Sequence, residues 1–222
     1  MSISENQRIP LPEANWIGTI YHGLPQYLFR PSFEPGSYLA FLGRLTAEKG
    51  PEPAIRIARA VGIPLQIAAK VPRGETTYFK ECIEPQVDGQ QVRLIGEVND
   101  HAKQGFLAAA AALLFPIDWP EPFGLVMIEA MASGTPMLAF PGGSVPEIIE
   151  DGLTGYIVSN IEEAVQAIPD LLALDRKAIR ARFEQRFSGA WQRTTLEYTR
   201  CSEGTPPRKS SSPLPPCQRP RR

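Results

Sequence analysis

Two glutamates stand out in the stretch from Phe115 to Pro136, which reads FPIDWPEPFGLVMIEAMASGTP. Glu121 lies in a loop rich in proline and acidic residues, and Glu129 lies in a helix that we predict to begin near Gly124. About two helical turns separate the carboxylates, and each can accept hydrogen bonds from ligand hydroxyl groups. The spacing alone is common, and Glu129 could equally be an ordinary solvated helix residue. The flanking sequences EPFG and EAMASGTP make the pattern specific, and they favour a functional role for the two glutamates.

The start of the same predicted helix could hold a phosphate group. Phe123, Gly124, Leu125 and Val126 form its first turn, where backbone N–H groups lack partners within the helix. These donors and the positive end of the helix dipole attract anions. A phosphate at the helix end, with a carboxylate on either side, would suit a sugar nucleotide.

A second segment, GRLTAEKG, carries two cations directly after the first predicted strand. Arg44 and Lys49 are placed where they could straddle a diphosphate, since a guanidinium fork and an ammonium both bind phosphate oxygens. Surface loops often carry Arg and Lys, so two ordinary exposed charges remain the alternative for this segment taken alone. It matches neither GxxxxGK[ST] nor GxGxxG, and the absence of the latter disfavours a dehydrogenase.

Apolar runs alternate with helical segments along the chain, a pattern typical of βαβ units. Strands are predicted over 38–42, 65–69, 92–95, 113–115, 137–140 and 156–158, with another short one over 16–21. Helices are predicted over 51–61, 75–83, 100–111, 124–132, 145–149, 161–172 and 176–187. We therefore expect an α/β fold, a Rossmann-like doubly wound parallel sheet of about six strands with helices on both faces.

The usual strand order of such a sheet, 3-2-1-4-5-6, makes the first and fourth strands neighbours where the order reverses. Ligands bind there, outside the carboxyl ends of the strands. GRLTAEKG follows the first predicted strand and PIDWPEPFG follows the fourth. The two segments are therefore expected to meet in one crevice.

Composition limits the partners of the protein. The 23 basic and 24 acidic residues give no reason to expect nucleic acid, and the longest apolar run is too short for an integral membrane segment. The N-terminus lacks the features of a signal peptide, and Cys82, Cys201 and Cys217 suggest neither a disulfide framework nor a zinc site. We expect a cytoplasmic protein. No DxD motif or cluster of metal ligands occurs, so no divalent metal is expected.

The chain is predicted to divide into three parts. Residues 1–36 are a lead-in of the kind found between domains, expected to be poorly ordered over 1–15. Residues 37–187 form the ligand-binding domain. Residues 188–222 are expected to be a disordered tail, because prolines, arginines and serines predominate there and few apolar side chains are available for burial.

Four segments together resemble the C-terminal half of group 1 glycosyltransferases with the GT-B fold: FLGRLTAEKG, LIGEV, EPFGLVMIEAMASGTPMLAF and GGSVPEIIEDGLTGYIV. The resemblance runs from about Thr19 to Phe187 and includes TIYHGLP at the family's interdomain join. It implies a metal-independent, retaining hexosyltransferase whose donor is a UDP- or GDP-linked sugar, and no other cofactor.

The resemblance also implies roles for individual residues. The diphosphate would contact the loop of Gly43, Arg44 and Lys49, and the nucleobase would lie against Gly96, Glu97 and Val98. Glu121 would face the donor sugar, the backbone of 123–126 would meet sugar and phosphate, and Glu129 would bind the ribose hydroxyls. Arg44, Lys49 and Glu121 would be the catalytic set.

Members of this family carry an N-terminal acceptor-binding domain, and only a short segment precedes the first predicted strand here. The chain is therefore expected to supply the donor-binding half and to rely on a separate acceptor-binding domain or chain. A non-catalytic or partner-dependent module that binds a nucleotide sugar at the same site is one alternative. Another is a different GT-B enzyme, such as a nucleotide-sugar epimerase or a phosphorylase, although the EPFG context argues against both.

Overall fold

A computed structural model describes residues 1–189 of the 222-residue chain. Its centre is a six-stranded parallel sheet in the order β3-β2-β1-β4-β5-β6. The strands are β1 (Leu39–Arg44), β2 (Leu65–Lys70), β3 (Val92–Gly96), β4 (Ala112–Phe115), β5 (Met137–Ala139) and β6 (Gly155–Ile157). The predicted Rossmann-like sheet and its strand order are confirmed. The predicted disordered tail lies, from position 190 onward, outside the described residues.

Helices cover both faces of the sheet. They are α1 (Pro51–Val61), α2 (Thr76–Tyr78), α3 (Asp100–Ala108), α4 (Leu125–Ala132), α5 (Val145–Ile148), α6 (Ile161–Leu172) and α7 (Arg176–Arg186). Side-chain oxygens of Asn99, Asn160 and Asp175 accept backbone N–H bonds at the starts of α3, α6 and α7. Such caps satisfy donors that the helix cannot use, and they set where each helix begins. No helix within residues 1–189 has the length and apolar character needed to cross a membrane.

The core is split into two layers by the sheet. Alternate residues of a strand point to opposite faces, so Ala40 belongs to one layer while Leu39 and Phe41 belong to the other. The first layer is closed by α4 and α7, and the second by α1 and α6. All of β4 is buried, which explains why its sequence, ALLF, is a continuous apolar run.

Two predicted elements are wrong. The strand expected over 16–21 is absent, and Thr19 makes only a single bridge to Ser2, because no neighbouring strand is available to this segment outside the sheet. The helix expected over 75–83 is one α-helical turn, α2, continued by a π-helix over Phe79–Ile83. Pro85 follows at once, and since proline has no backbone N–H it cannot extend a regular helix there.

One carboxylate of the domain accepts several hydrogen bonds from the lead-in. Glu147 of α5 accepts hydrogen bonds from the backbone N–H groups of Glu5 (2.8 Å) and Asn6 (2.7 Å) and from the Tyr21 hydroxyl (3.0 Å). Burial, with the charge of Glu147 adding to it, raises the pKa of Tyr21 to about 12. Ser4 also donates to the carbonyl of Pro122 at 2.5 Å. The composition of residues 1–15 did not predict these contacts.

Two buried arginines of α7 hold the rest of the lead-in. The Arg180 guanidinium donates to the carbonyls of Gln26 (2.6 Å), Phe29 (2.9 Å) and Ala132 (2.5 Å). Arg176 donates in the same way to the carbonyls of Ser32, Ala108 and Ala110 and to the Thr135 hydroxyl. Burial lowers the pKa of Arg176. Each guanidinium thus satisfies several carbonyls that have no strand or helix partner, and joins the lead-in to the first core layer.

We expect Arg180→Ala to lower the free energy of unfolding by about 3 kcal/mol, because three carbonyls lose a charged donor in a buried place. Denaturant unfolding of the variant measures this. Arg56→Ala, at an exposed position of α1, is the matched control and should change the free energy by less than about 0.5 kcal/mol. Equal, small effects of the two substitutions would contradict the assigned role of Arg180.

Candidate functional site

Loops after β1, β4 and β5 meet at the carboxyl end of the sheet. The backbone N–H of Asp118 donates to the Glu48 carbonyl at 2.8 Å, which joins the first two loops. A cavity of about 370 Å³ opens beside them. Its lining residues are Leu42, Gly43, Arg44, Lys49, Phe115, Trp119, Glu121, Pro122, Gly124, Leu125 and Val126. The predicted meeting of GRLTAEKG and PIDWPEPFG at the switch point is confirmed.

Close backbone approaches set the spacing of these loops. Gly50 has φ +72°, and a Cβ atom there would lie 1.9 Å from the Pro116 carbonyl oxygen. Gly143 has φ +58°, and a Cβ atom there would lie 2.1 Å from the Glu121 carbonyl oxygen. The N–H of Ser144 donates to that same oxygen at 2.8 Å. The backbone of Glu121 is therefore fixed from the β5 side, where only glycine fits.

The Glu121 carboxylate is contacted by two other side chains of the cavity, those of Lys49 and Trp119. Its Oε2 accepts hydrogen bonds from Lys49 Nζ at 2.5 Å and from Trp119 Nε1 at 2.9 Å. Lys49 Nζ also lies 4.5 Å from the centroid of the Trp119 ring. The Lys49 and Glu121 side chains are only 14% and 13% exposed. The residue predicted to bind phosphate and the residue predicted to face the sugar are thus paired with each other.

Arg44 differs from Lys49 in its surroundings. It ends β1, lines the cavity, and its side chain is 58% exposed. Its only ion pair among residues 1–189 is a loose one with Glu48, at 3.6 Å. An exposed pair of this kind contributes little stability. Arg44 can therefore turn to an anion in the cavity at little cost.

The start of α4 forms part of the cavity wall. Gly124 precedes the helix with φ +72°, and Leu125 and Val126, its first residues, line the cavity. The N–H groups of Leu125 and Val126 precede the first intrahelical bonds, and the positive end of the helix dipole lies at the same place. Phe123, in contrast, does not line the cavity, and its ring is buried near those of Tyr21 and His22.

Glu129 lies on α4 outside the lining of this cavity. Its side chain is 11% exposed, and its Oε1 accepts a hydrogen bond from Lys103 Nζ at 2.8 Å. Burial lowers the pKa of Lys103, but the hydrogen bond and charge of Glu129, helped by Asp100, outweigh burial, so the pKa is raised. Lys103 therefore stays protonated and holds the Glu129 carboxylate in place.

The segment predicted to meet a nucleobase lies at the end of β3, two strands away from β1. Gly96 has φ +81°, Glu97 forms an exposed pair with Lys70 at 3.3 Å, and Val98 packs on the first core layer. None of the three lines the cavity around Glu121. No group of three His, Cys, Asp or Glu side chains within residues 1–189 is arranged to hold a metal ion.

The structure thus brings one part of the predicted site together and leaves another apart. Gly43, Arg44, Lys49, Glu121, Gly124, Leu125 and Val126 share the cavity, whereas Gly96, Glu97, Val98, Phe123 and Glu129 lie outside its lining. The sequence interpretation missed Trp119 and Lys103. Trp119 lies within the motif itself, and its indole N–H, a group that can only donate, was an available signal. No sequence signal pointed to Lys103.

Fold and cleft together define a doubly wound α/β domain with cations, a carboxylate and a helix N-terminus at its switch point. Residues 29–186 match the family Glycosyl transferases group 1. The chain belongs to this family.

Curated relatives are longer than the chain. The D-inositol 3-phosphate glycosyltransferase of Mycobacterium tuberculosis (strain H37Rv) is 31% identical over 175 residues, an alignment that covers 71% of this chain and 35% of the relative. The chain therefore spans about a third of the length of the curated relatives it matches.

Solved structures share the fold. AviGT4, a glycosyltransferase involved in avilamycin A biosynthesis, superimposes with a TM-score of 0.77 at 25% identity, over 92% of this chain and 64% of AviGT4. HepE of Anabaena, solved in complex with UDP and glucose, superimposes with a TM-score of 0.75 at 21% identity, over 90% and 62% of the two chains.

The approach of Gly50 to Pro116 can be tested against a matched glycine. Gly50 and Gly62 flank α1 with nearly the same φ, +72° and +70°, but a Cβ atom at Gly62 would meet nothing within 4 Å. We expect Gly62→Ala to cost only the left-handed backbone, about 1 to 2 kcal/mol. Gly50→Ala should cost about 1 to 3 kcal/mol more, because the loops must also move apart.

Denaturant unfolding of the two variants measures the difference. Equal losses of unfolding free energy in both variants would show that the contact between the β1 and β4 loops does not set their spacing.

Proposed function

We propose that this chain binds a nucleotide-diphosphate sugar, UDP- or GDP-linked, and supplies the donor-binding half of a hexosyl transfer reaction. One observation carries the proposal. A single cavity at the switch point is lined by two cations, a nearly buried carboxylate and the start of a helix. Its volume of about 370 Å³ falls within the range of small-molecule sites.

The phosphate contacts come from groups that carry positive charge. Lys49, Arg44 and the first residues of α4 all line the cavity. In the transfer, the bond between the anomeric carbon and the phosphate oxygen breaks, and its electron pair leaves with the nucleotide diphosphate. A hydroxyl oxygen of the acceptor bonds to the anomeric carbon and loses its proton. Fixed cations and dipoles near that oxygen stabilise the developing charge without having to reorganise. No metal is needed for this step in the proposal.

The hydroxyl contacts come from the two glutamates. Among residues 1–189, hydrogen bonds reach the Glu121 carboxylate only at Oε2 and the Glu129 carboxylate only at Oε1. The second oxygen of each carboxylate is thus available to a hydroxyl, of the donor sugar at Glu121 and of the ribose at Glu129. The segment 96–98 would contact the nucleobase.

The related proteins guide the choice of nucleotides to test and support the proposal of a separate acceptor-binding domain. HepE has been solved with UDP and with UDP-glucose, so uridine nucleotides are the first ligands to test. Because the alignment covers only 35% of the curated relative, we propose that a separate domain or chain binds the acceptor. The cytoplasmic location expected from the composition is part of the same proposal.

Calorimetric titration with UDP, GDP, UDP-glucose and GDP-mannose tests the phosphate contacts. We expect the wild-type chain to bind either UDP and UDP-glucose or GDP and GDP-mannose. Lys49→Ala should weaken the binding of both ligands by about tenfold or more, because a charge-assisted contact is lost. Lys80→Ala, an exposed lysine far along the chain from the cavity motifs, is the matched control. An unchanged dissociation constant for Lys49→Ala would contradict the assignment.

The same titration separates the two glutamates. Glu129→Ala should weaken the nucleotide diphosphate and its sugar derivative alike. Glu121→Ala should weaken only the sugar derivative, and the affinity for the bare nucleotide should hold or rise, because Lys49 is released from its ion pair. Glu162→Ala, an exposed glutamate of α6, is the control. If both variants lose affinity for the same ligands equally, the division of roles is wrong.

A further inference from the structure

We propose that Trp119 is a positioning residue of this cleft: its indole N–H holds Glu121 against the sugar while Lys49 is engaged by the diphosphate. The inference rests on the proposed function and deepens it. Trp119 is not among the site residues that the resemblance to group 1 glycosyltransferases implied. Trp119 lines the cavity together with both of its partners.

The contacts form a closed triangle. Lys49 Nζ and Trp119 Nε1 both donate to Glu121 Oε2, at 2.5 and 2.9 Å, and the ammonium lies 4.5 Å from the indole centroid. At that distance the ring face attracts the cation. Within residues 1–189 no group donates to Glu121 Oε1. The two donors on Oε2 thus orient the carboxylate and leave Oε1 to accept from a ligand.

The backbone holds the indole and the carboxylate close together. The N–H of Glu121 donates to the Trp119 carbonyl at 2.9 Å, which closes a three-residue turn around Pro120. A Cβ atom at Gly142 would lie 2.7 Å from that same carbonyl oxygen, so the loop after β5 packs tightly on the turn. The backbones of Trp119 and Glu121 are therefore held next to each other, which keeps the indole N–H within reach of the carboxylate.

Ligand binding would affect the Lys49 ammonium and the Trp119 indole N–H differently. Lys49 carries a mobile charge, and a diphosphate competes with Glu121 for it. As the ammonium shifts toward phosphate, the carboxylate loses its counter-charge and lies near a second anion, which repels it. The indole N–H is neutral, has one hydrogen to donate and sits on a rigid ring. It stays on Oε2 and keeps Glu121 oriented.

The test uses the full chain and one ratio, the dissociation constant of UDP divided by that of UDP-glucose, with GDP and GDP-mannose measured in parallel. Trp119→Phe keeps a ring for the cation and removes the N–H. We expect this substitution to reduce the ratio about fivefold, since a hydrogen bond to a charged group is lost. Trp119→Leu removes the ring too, and should reduce the ratio to the same extent.

Trp16→Phe is the matched control. It removes the same indole N–H, which in Trp16 donates to the Leu11 carbonyl at 2.8 Å, and should leave the ratio unchanged. A double-mutant cycle supplies a readout that a merely structural role would not move. In a Glu121→Ala background, Trp119→Phe should change the ratio less than about twofold, because the group it positions is gone.

The measured ratios support or overturn the role of Trp119. Binding by the wild type with an unchanged ratio in Trp119→Phe overturns the inference and leaves the proposed function standing. The same fall in ratio with and without Glu121 also overturns it, since Trp119 would then act through packing. If the wild type binds none of the four nucleotides, the proposed function fails and the inference fails with it.

Discussion

The cleft depends on two places where backbone meets backbone with no room for a side chain. A parallel sheet brings the carboxyl ends of β1 and β4 to one edge, but the sheet does not fix the distance between the loops that follow. Gly50 against Pro116 fixes that distance, and Gly143 against Glu121 fixes the loop after β5 on the loop after β4. The contact of Lys49 with Glu121 exists because the loops approach this closely. Electrostatics in the site is thus a consequence of chain geometry at two glycines.

The pairing of Lys49 with Glu121 reduces the energetic cost of keeping a cation in a nearly buried anion-binding site. A cation that is nearly buried and has no partner is costly, because removal from water disfavours the charged form. Glu121 compensates Lys49, because the two opposite charges lie in direct contact inside the cleft. Arg44 lies in solvent and needs no such partner. A ligand that brings both phosphate and hydroxyl groups could satisfy Lys49 and Glu121 separately, which suits the proposed donor better than phosphate alone.

Burial and chain order could be predicted from the sequence, whereas side-chain pairing could not. Continuous apolar runs such as ALLF located the central strands, and the order of a doubly wound sheet then placed Lys49 and Glu121 at the same edge. The bonds from Trp119 to Glu121 and from Lys103 to Glu129 depend on loop paths and rotamers that no periodicity encodes. The strand expected over 16–21 is wrong for a related reason: an extended segment becomes a strand only if a neighbour pairs with it.

The loop after β5 connects the cleft to the lead-in. On one side, Gly143 and Ser144 contact the Glu121 backbone. On the other side, α5 follows directly, and its Glu147 binds residues 5, 6 and 21 of the lead-in. Ser4 adds a bond to Pro122, the residue after Glu121. The TIYHGLP segment, which resembles the family's interdomain join, is therefore fixed to the same short loop that fixes Glu121. A displacement of the lead-in would act on the carboxylate through Ser144 and Pro122, with only a few covalent bonds between them.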